Sequence, residues 1–317
     1  MRDITSKQIS LRTARAIGKV CCDETILDLI KSDQLPKGNL FDIAKAASFL
    51  AAKNTHNLIP HCHPVSIDAL SINFYYHDDP ALTEIIGDNA NKETGVVIIV
   101  EAKSIGRTGI EMEALTAVSI SALTIYDLLK PLGNKDIEIS GIRLIEKTGG
   151  KSDRQKYTKR THKAAVLVCS DSTAAGKRED RSGVLIQEML TAHNCEIFDY
   201  KIIPDEKELI QKQIQSWVSE DVPFIFTTGG TGLGPRDHTV DAVRDILERD
   251  APGITEAMRV HGQMRTPLAM MSRAAAGSIG ECLIVTLPGS SNGAKECLEA
   301  ILPSIFHARG ILKGGGH

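Results

Sequence analysis

The apolar residues change period several times along the first 150 positions. Residues 44–55, "AKAASFLAAKNT", are rich in alanine and leucine and predict a helix. Residues 67–77, "IDALSINFYYH", alternate apolar and polar as a half-buried strand does, and residues 95–104, "GVVIIVEAKS", predict a second strand. The longest element covers residues 108–130, "TGIEMEALTAVSISALTIYDLLK". Here Leu115, Val118, Ala122, Ile125 and Leu129 recur at spacings of three and four, an apolar stripe that Glu111 extends toward the helix start. Glu113, Thr116, Thr124 and Asp127 are expected on another, polar face, with Lys130 within reach of Asp127. Strands and helices without a regular βαβ order predict an α+β domain, helices packed on an antiparallel sheet.

After residue 163 the order becomes regular. Strand patterns at 164–171, 195–205, 222–230 and 282–289 are separated by helical patterns at 182–193, 206–218 and 240–249, and a last helix is expected over 293–306. Such alternation predicts an α/β domain, a doubly wound, mostly parallel sheet with helices on both faces. Ligands of such sheets bind beyond the carboxyl ends of the strands. The stretch between the two patterns, "GGKSDRQKYTKRTHK" at 149–163, is polar, mostly basic and almost free of aliphatic residues. The expected division is a first domain at 1–152, a basic linker at 153–163 and a second domain at 164–317.

Composition narrows the classes. A net charge of −3 lacks the basic excess of a nucleic-acid binder, and 4% aromatic content with one tryptophan, Trp217, leaves few platforms for stacking on single strands. No uninterrupted apolar run reaches the ~18 residues of a membrane helix, and "MRDITSKQIS" has no apolar signal core. Seven cysteines without a CxxC spacing point to reduced thiols and a cytoplasmic location. No nucleic-acid or membrane partner is expected.

Candidate chemistry in the first domain begins at "NLIPHCHPV", residues 57–65. His61 and His63, one residue apart, would point the same way from a strand and could chelate a metal, with Cys62 turned away into packing. A catalytic histidine, or two histidines in an ordinary loop, are the other readings. On the long helix, Glu113 and Asp127 are fourteen residues apart, roughly 21 Å along the axis at ~1.5 Å per residue. They cannot serve one small substrate from one helix, so a second subunit is expected to bring them to different copies of a site.

In the second domain "FTTGGTGLGPRD", residues 226–237, follows the third strand. Gly229, Gly230 and Gly232 allow close backbone approach, and consecutive N–H groups there form an anion nest. The spacing is not that of a dinucleotide fingerprint. "LPGSSNGAKE", residues 287–296, is a second loop between strand and helix, with Ser290, Ser291 or Asn292 as N-cap. Asp171, Asp205 and Asp237 fall at the same expected edge of the sheet, which suits a nucleoside triphosphate with Mg²⁺.

Two resemblances follow from these segments. "SLRTARA", "LPKGNLFDIAKAA", "NLIPHCHPV", the long-helix segment and "KTGGKSD" resemble, in order, cyclic pyranopterin monophosphate synthase, over residues 2–152. The resemblance implies conversion of a GTP-derived pterin precursor, cyclised dihydro-GTP, to cyclic pyranopterin monophosphate with release of pyrophosphate. It implies Asp127 and Lys130 as an acid–base pair, and Lys37, His63, Glu111, Glu113, Lys147, Arg12 and Lys151 as substrate-binding residues. It also implies a homo-oligomer, a trimer or hexamer, and no certain cofactor for this domain. His61 departs from the family's usual apolar residue, and Asn39 and Asn57 stand where aspartate is common.

"SDS…DRSG", "IPDE", "TTGGTG…RD" and "LPGS…KECLEAILP" resemble the molybdopterin adenylyltransferase family over residues 164–312. That resemblance implies transfer of AMP from ATP to molybdopterin with Mg²⁺. Asp205 and Asp237 would hold the metal and act in catalysis. Asp171, Asp180, Gly229, Gly230, Thr231, Gly232, Ser290, Ser291 and Asn292 would bind substrate. Val240 replaces a proline common in the family, although Asp237 and Asp241 remain. The alternative is a non-catalytic domain that binds molybdopterin or assembles the protein.

Overall fold

The computed structural model describes residues 1–87, 93–132, 136–150 and 160–315. Its two units are Met1–Asp153 and Arg154–His317.

In the first unit the strands are β1 (Ser10–Cys21), β2 (Ala69–Tyr76), β3 (Gly95–Gly106) and β4 (Glu138–Thr148). They pair antiparallel in the order β2-β3-β1-β4. The helices are α1 (Glu24–Lys31), α2 (Leu40–Lys53), the single turn α3 (Thr55–Leu58), α4 (Ala81–Ile86) and α5 (Glu111–Leu129). Ala14, Ala16, Gly18 and Val20 alternate onto one face of β1 and are buried. These small residues let α5 lie close: a Cβ on Gly18 would sit 2.5 Å from Val118 Cγ1. Val118, Ala122, Ile125 and Leu129 of the expected stripe are fully buried, while Leu115 is only partly covered.

The polar face expected on α5 is partly wrong. Glu113 and Thr116 are buried, because α2 and α3 pack against the helix as well as the sheet does. Ser48 of α2 donates a hydrogen bond to Ala117 O at 3.3 Å. Glu111–Leu132 is also long and apolar enough by composition to cross a membrane, although charges interrupt it; here it is a core helix, more than half buried. On the other face of the sheet, α4 covers a smaller core of Ile17, Leu82, Val97 and Ile99.

The second unit contains β5 (His162–Cys169), β6 (Cys195–Ile203), β7 (Phe224–Thr228), β8 (Arg249–Asp250), β9 (Ala276–Ile279) and β10 (Cys282–Leu287). Their order is β6-β5-β7-β10-β9-β8, with β6, β5, β7 and β10 parallel and the β9 and β8 edge antiparallel. A single turn, α6 (Asp171–Ala174), follows β5, and alternate residues of β5 feed two cores. Ala164 and Val166 face α7 (Ser182–Thr191), α10 (Pro252–Gln263) and α11 (Ser291–Ile301). Ala165, Leu167 and Cys169 face α8 (Lys207–Ser219) and α9 (Thr239–Arg244). This is the doubly wound architecture, a buried parallel sheet with a helix layer on each side.

Several details differ from the sequence pattern. The helix expected over 240–249 stops at Arg244, because Arg249 and Asp250 pair with β9 as a short edge strand. The last long helix ends at Ile301 rather than 306, just before Pro303, whose ring cannot continue a helix. β5 begins at His162, inside the stretch read as linker, and the His162 ring stacks on Phe306 at 4.1 Å between centroids.

Candidate active sites

Two charged groups stand at opposite ends of α5. At its start Lys147 Nζ lies 3.3 Å from Glu111 Oε1. Lys147 reaches the helix because it pairs with Ala14 across the β1–β4 ladder and so shares the helix-facing side of the sheet. Ile110, at the cap position, supplies no side-chain acceptor, so the first-turn carboxylates Glu111 and Glu113 meet the positive end of the helix. Burial pushes the Glu113 carboxyl up, its own backbone N–H pulls it down, and the neighbouring Glu111 adds to the rise. Cys62 lies close enough to Glu113 for its thiol, raised first by burial, to feel that charge. Arg12 is buried on the same sheet, where its Nε donates to Gly106 O at 3.2 Å. A Cβ on Gly150 would meet Arg12 Nη1 at 2.0 Å, so the glycines of "KTGGKSD" let the chain cross the guanidinium.

At the other end Asp127 is flanked by two lysines. Lys37 Nζ lies 3.5 Å from Asp127 Oδ2, and Lys130 Nζ lies 3.6 Å from Oδ1. Lys37 also donates to the Asp127 carbonyl at 3.4 Å, bringing a residue ninety positions away to the helix end. Lys151 lies outside the described residues.

His61 and His63 sit in an irregular loop after α3, not in a strand, so alternation does not align their rings. Among the described residues no group of three or more His, Cys, Asp and Glu side chains converges in the manner of a metal centre. Asn39, one of the departures from the family pattern, is the N-cap of α2 and accepts from Asp42 N at 3.0 Å. An asparagine performs that task as well as an aspartate.

In the second unit the expected carboxylates meet at the carboxyl edge of the sheet. Asp205, after β6, is buried; its Oδ1 accepts from His238 N at 3.2 Å and Thr239 Oγ1 at 3.3 Å. Burial raises the Asp205 carboxyl, the two hydrogen bonds oppose that, and Asp237 adds to the rise. Gly230 has φ of 57°, and a Cβ there would meet Asp205 Oδ2 at 2.0 Å. Only glycine therefore lets the loop close over that carboxylate. Asp237 Oδ2 accepts from Gly234 N at 2.8 Å, drawing the segment after Gly232 into a turn.

The two glycine loops face each other. Thr228 Oγ1 donates to Pro288 O at 2.8 Å, and Ser290 is the N-cap of α11, accepting from Gly293 N at 3.2 Å. A cavity of about 420 Å³ opens beside Ser290 and Asn292, walled by Met258, Leu268, Ala274 and Pro288. Asp180 stands apart in role. One oxygen accepts from Ser182 Oγ and Gly183 N at the start of α7, and the other accepts from Tyr200 Oη at 2.5 Å.

Arg236 joins this edge without standing out in the hydrophobic pattern. Its guanidinium donates to Asp171 Oδ2 from Nε at 3.0 Å and from Nη2 at 2.5 Å. These bonds hold the Asp171 carboxyl below the usual range. The arginine stands beside Asp237 in "GPRD", and that adjacency was the available signal.

An antiparallel α+β domain with acid–lysine groups at both ends of one helix, followed in the chain by a doubly wound domain with paired glycine loops, makes a two-domain protein with a separate charged site in each unit. Residues 1–150 match the MoaC family, and residues 165–307 match the family described as probable molybdopterin binding domain. The chain is 43% identical over 317 residues to the molybdenum cofactor biosynthesis bifunctional protein of Chlorobaculum tepidum, spanning all of this chain and 96% of that one. It is 37% identical over 328 residues to the protein of the same name from Synechococcus elongatus, spanning all of this chain and 98% of that one. The first half is 44% identical over 152 residues to the cyclic pyranopterin monophosphate synthase of Desulfitobacterium hafniense, covering 48% of this chain and 84% of that one. The chain belongs to the family of molybdenum cofactor biosynthesis bifunctional proteins.

Proposed function

We propose that the first unit is a cyclic pyranopterin monophosphate synthase and the second a molybdopterin adenylyltransferase. For the first, the supporting observation is the Asp127 carboxylate between Lys37 and Lys130. A carboxylate beside two ammonium groups can hold one of them ready to give or take a proton, while the second meets phosphate oxygens. Lys130 with Asp127 is the acid–base pair; Lys37, Arg12, His63, Glu111, Glu113, Lys147 and Lys151 position the precursor and its triphosphate. Because Glu113 and Asp127 are fourteen residues apart on α5, roughly 21 Å, a homo-oligomer completes the site.

For the second unit, the supporting observation is the buried Asp205 beneath Gly230, at the sheet edge where ligands of such folds bind. The N–H groups of residues 229–232 and 290–292 face phosphate. Asp205 and Asp237 would hold Mg²⁺. The donor set fits, because Mg²⁺ takes one or two carboxylates and fills its remaining positions with water and phosphate oxygens. When bound, the ion neutralises charge on the phosphates. In this reading Asp171 lies at the phosphate-binding edge beside Arg236, Asp180 shapes the start of α7, and the 420 Å³ cavity beside Ser290, lined by Arg259 and Glu296 as well as by apolar residues, accepts another part of the ligand.

Purified full-length chain is assayed for both products, beside Lys130→Ala and Asp237→Ala. Each variant should lose its own activity by about 10²–10⁴-fold and keep the other. Absence of AMP transfer by a folded parent that still binds molybdopterin would replace the second half of the proposal. The unit would then be a molybdopterin-binding module, a reading favoured by the description of the family that residues 165–307 match.

A further inference from the structure

The second site as built is rich in negative charge. Asp171, Asp205 and Asp237 lie at one edge, and Glu206 and Asp205 both act on Arg236. A triphosphate bound at that edge lies among carboxylates, and a metal held by two of them offsets only part of the repulsion. Arg236, beside the glycine loop, carries a guanidinium open to solvent, its side chain 70% exposed. Arg273 also belongs to this edge, since its N–H donates to Thr231 O at 3.2 Å, but its side chain is 27% exposed and paired with Asp241.

We propose that Arg236 is the polyphosphate-binding cation of this site, and that Asp171 holds it in place until a ligand exchanges for the carboxylate. The inference rests on the adenylyl-transfer reading. Both Arg236 hydrogen bonds go to the same oxygen, Asp171 Oδ2, while Oδ1 accepts from Asp205 N at 3.1 Å. Asp171 therefore keeps its anchor on the site wall when the arginine leaves. An ion pair open to water is screened and weak. A phosphoryl group offers more charge and several acceptor oxygens to a planar guanidinium, so exchange favours the ligand. Asp171 acts through Arg236, as a positioning residue.

The test is calorimetric binding of inorganic tripolyphosphate without metal, and of Mg-ATP, to the full-length chain. Variants are Arg236→Ala, Arg236→Lys, Asp171→Asn and the double Asp171→Asn/Arg236→Ala. Circular dichroism and thermal melting verify that each folds. Arg236→Ala should weaken tripolyphosphate about tenfold, and Arg236→Lys should recover part of that. Asp171→Asn should tighten binding several-fold in the parent and leave it unchanged in the Arg236→Ala background. Equal tightening in both backgrounds would show general charge repulsion and overturn the exchange. A parent that binds Mg-ATP as tightly as Arg236→Ala does would remove Arg236 and leave adenylyl transfer standing. Binding of tripolyphosphate through Arg236 without Mg-ATP binding would sink adenylyl transfer and keep the anion site, and binding of neither would sink both.

Discussion

At Glu113 a single side chain shows what burial does to a charge. A carboxyl whose folded pKa lies above its unfolded value holds a proton in the folded chain that the unfolded chain has already lost. Stability therefore falls as pH rises from the ordinary glutamate range through the raised folded value. Glu113→Gln is expected to be more stable than the parent at about pH 7, with the difference shrinking toward about pH 4. Urea midpoints of both proteins at the two pH values measure it, and a constant difference would count against the assignment. Residue types at the sites were readable from the chain, including Asp127 with Lys130, which are three apart on one helix. The contact of Lys37 with Asp127 was not, because it joins residues ninety positions apart. Nor does the sequence show that the Asp180 oxygens cap α7 and accept from Tyr200, an arrangement that depends on the β6 register.

Among the elements, α5 illustrates both the strength and the shortfall of periodicity. Four of the five stripe residues are fully buried. The buried Glu113 and Thr116 lie outside the stripe, because a helix packed on a sheet and on α2 has two covered faces while a hydrophobic pattern marks the more apolar one. The fit of α5 to β1 depends on Gly18. Gly18→Ala should cost about 1–3 kcal/mol through overpacking against Val118. Val118→Ala in the same chain should cost less than the sum of the two single changes. Thermal denaturation of the three variants measures that coupling, and strict additivity would mean that the contact does not carry the packing. The β8–β9 edge was invisible for a related reason: two residues, Arg249 and Asp250, are too short a strand for any alternation to register.

For the whole molecule, each unit carries its own core: one cluster on the α5 face of the first sheet, and two flanking the second sheet. Fragments Met1–Asp153 and Arg154–His317 should therefore each fold alone, and the intact chain should show separable unfolding steps in calorimetry. A fragment that stays unfolded would show that its core needs the other half of the chain. The proposed homo-oligomer is checked by light scattering on the first fragment, where a monomer with full synthase activity would refute the shared site.

The amino-acid sequence by itself determined the two patterns of alternation, the α+β and doubly wound classes, the glycine loops and the types of charged residue they would carry. These are local properties, set by side-chain periodicity over ten to twenty residues and by the backbone freedom of glycine. Tertiary structure alone decided that Lys147 meets Glu111, that Lys37 meets Asp127, that Asp205 is buried under Gly230 and that Asp171 holds Arg236. Each of those is a contact between distant segments. Its geometry depends on strand register and helix packing, which one-dimensional periodicity does not contain.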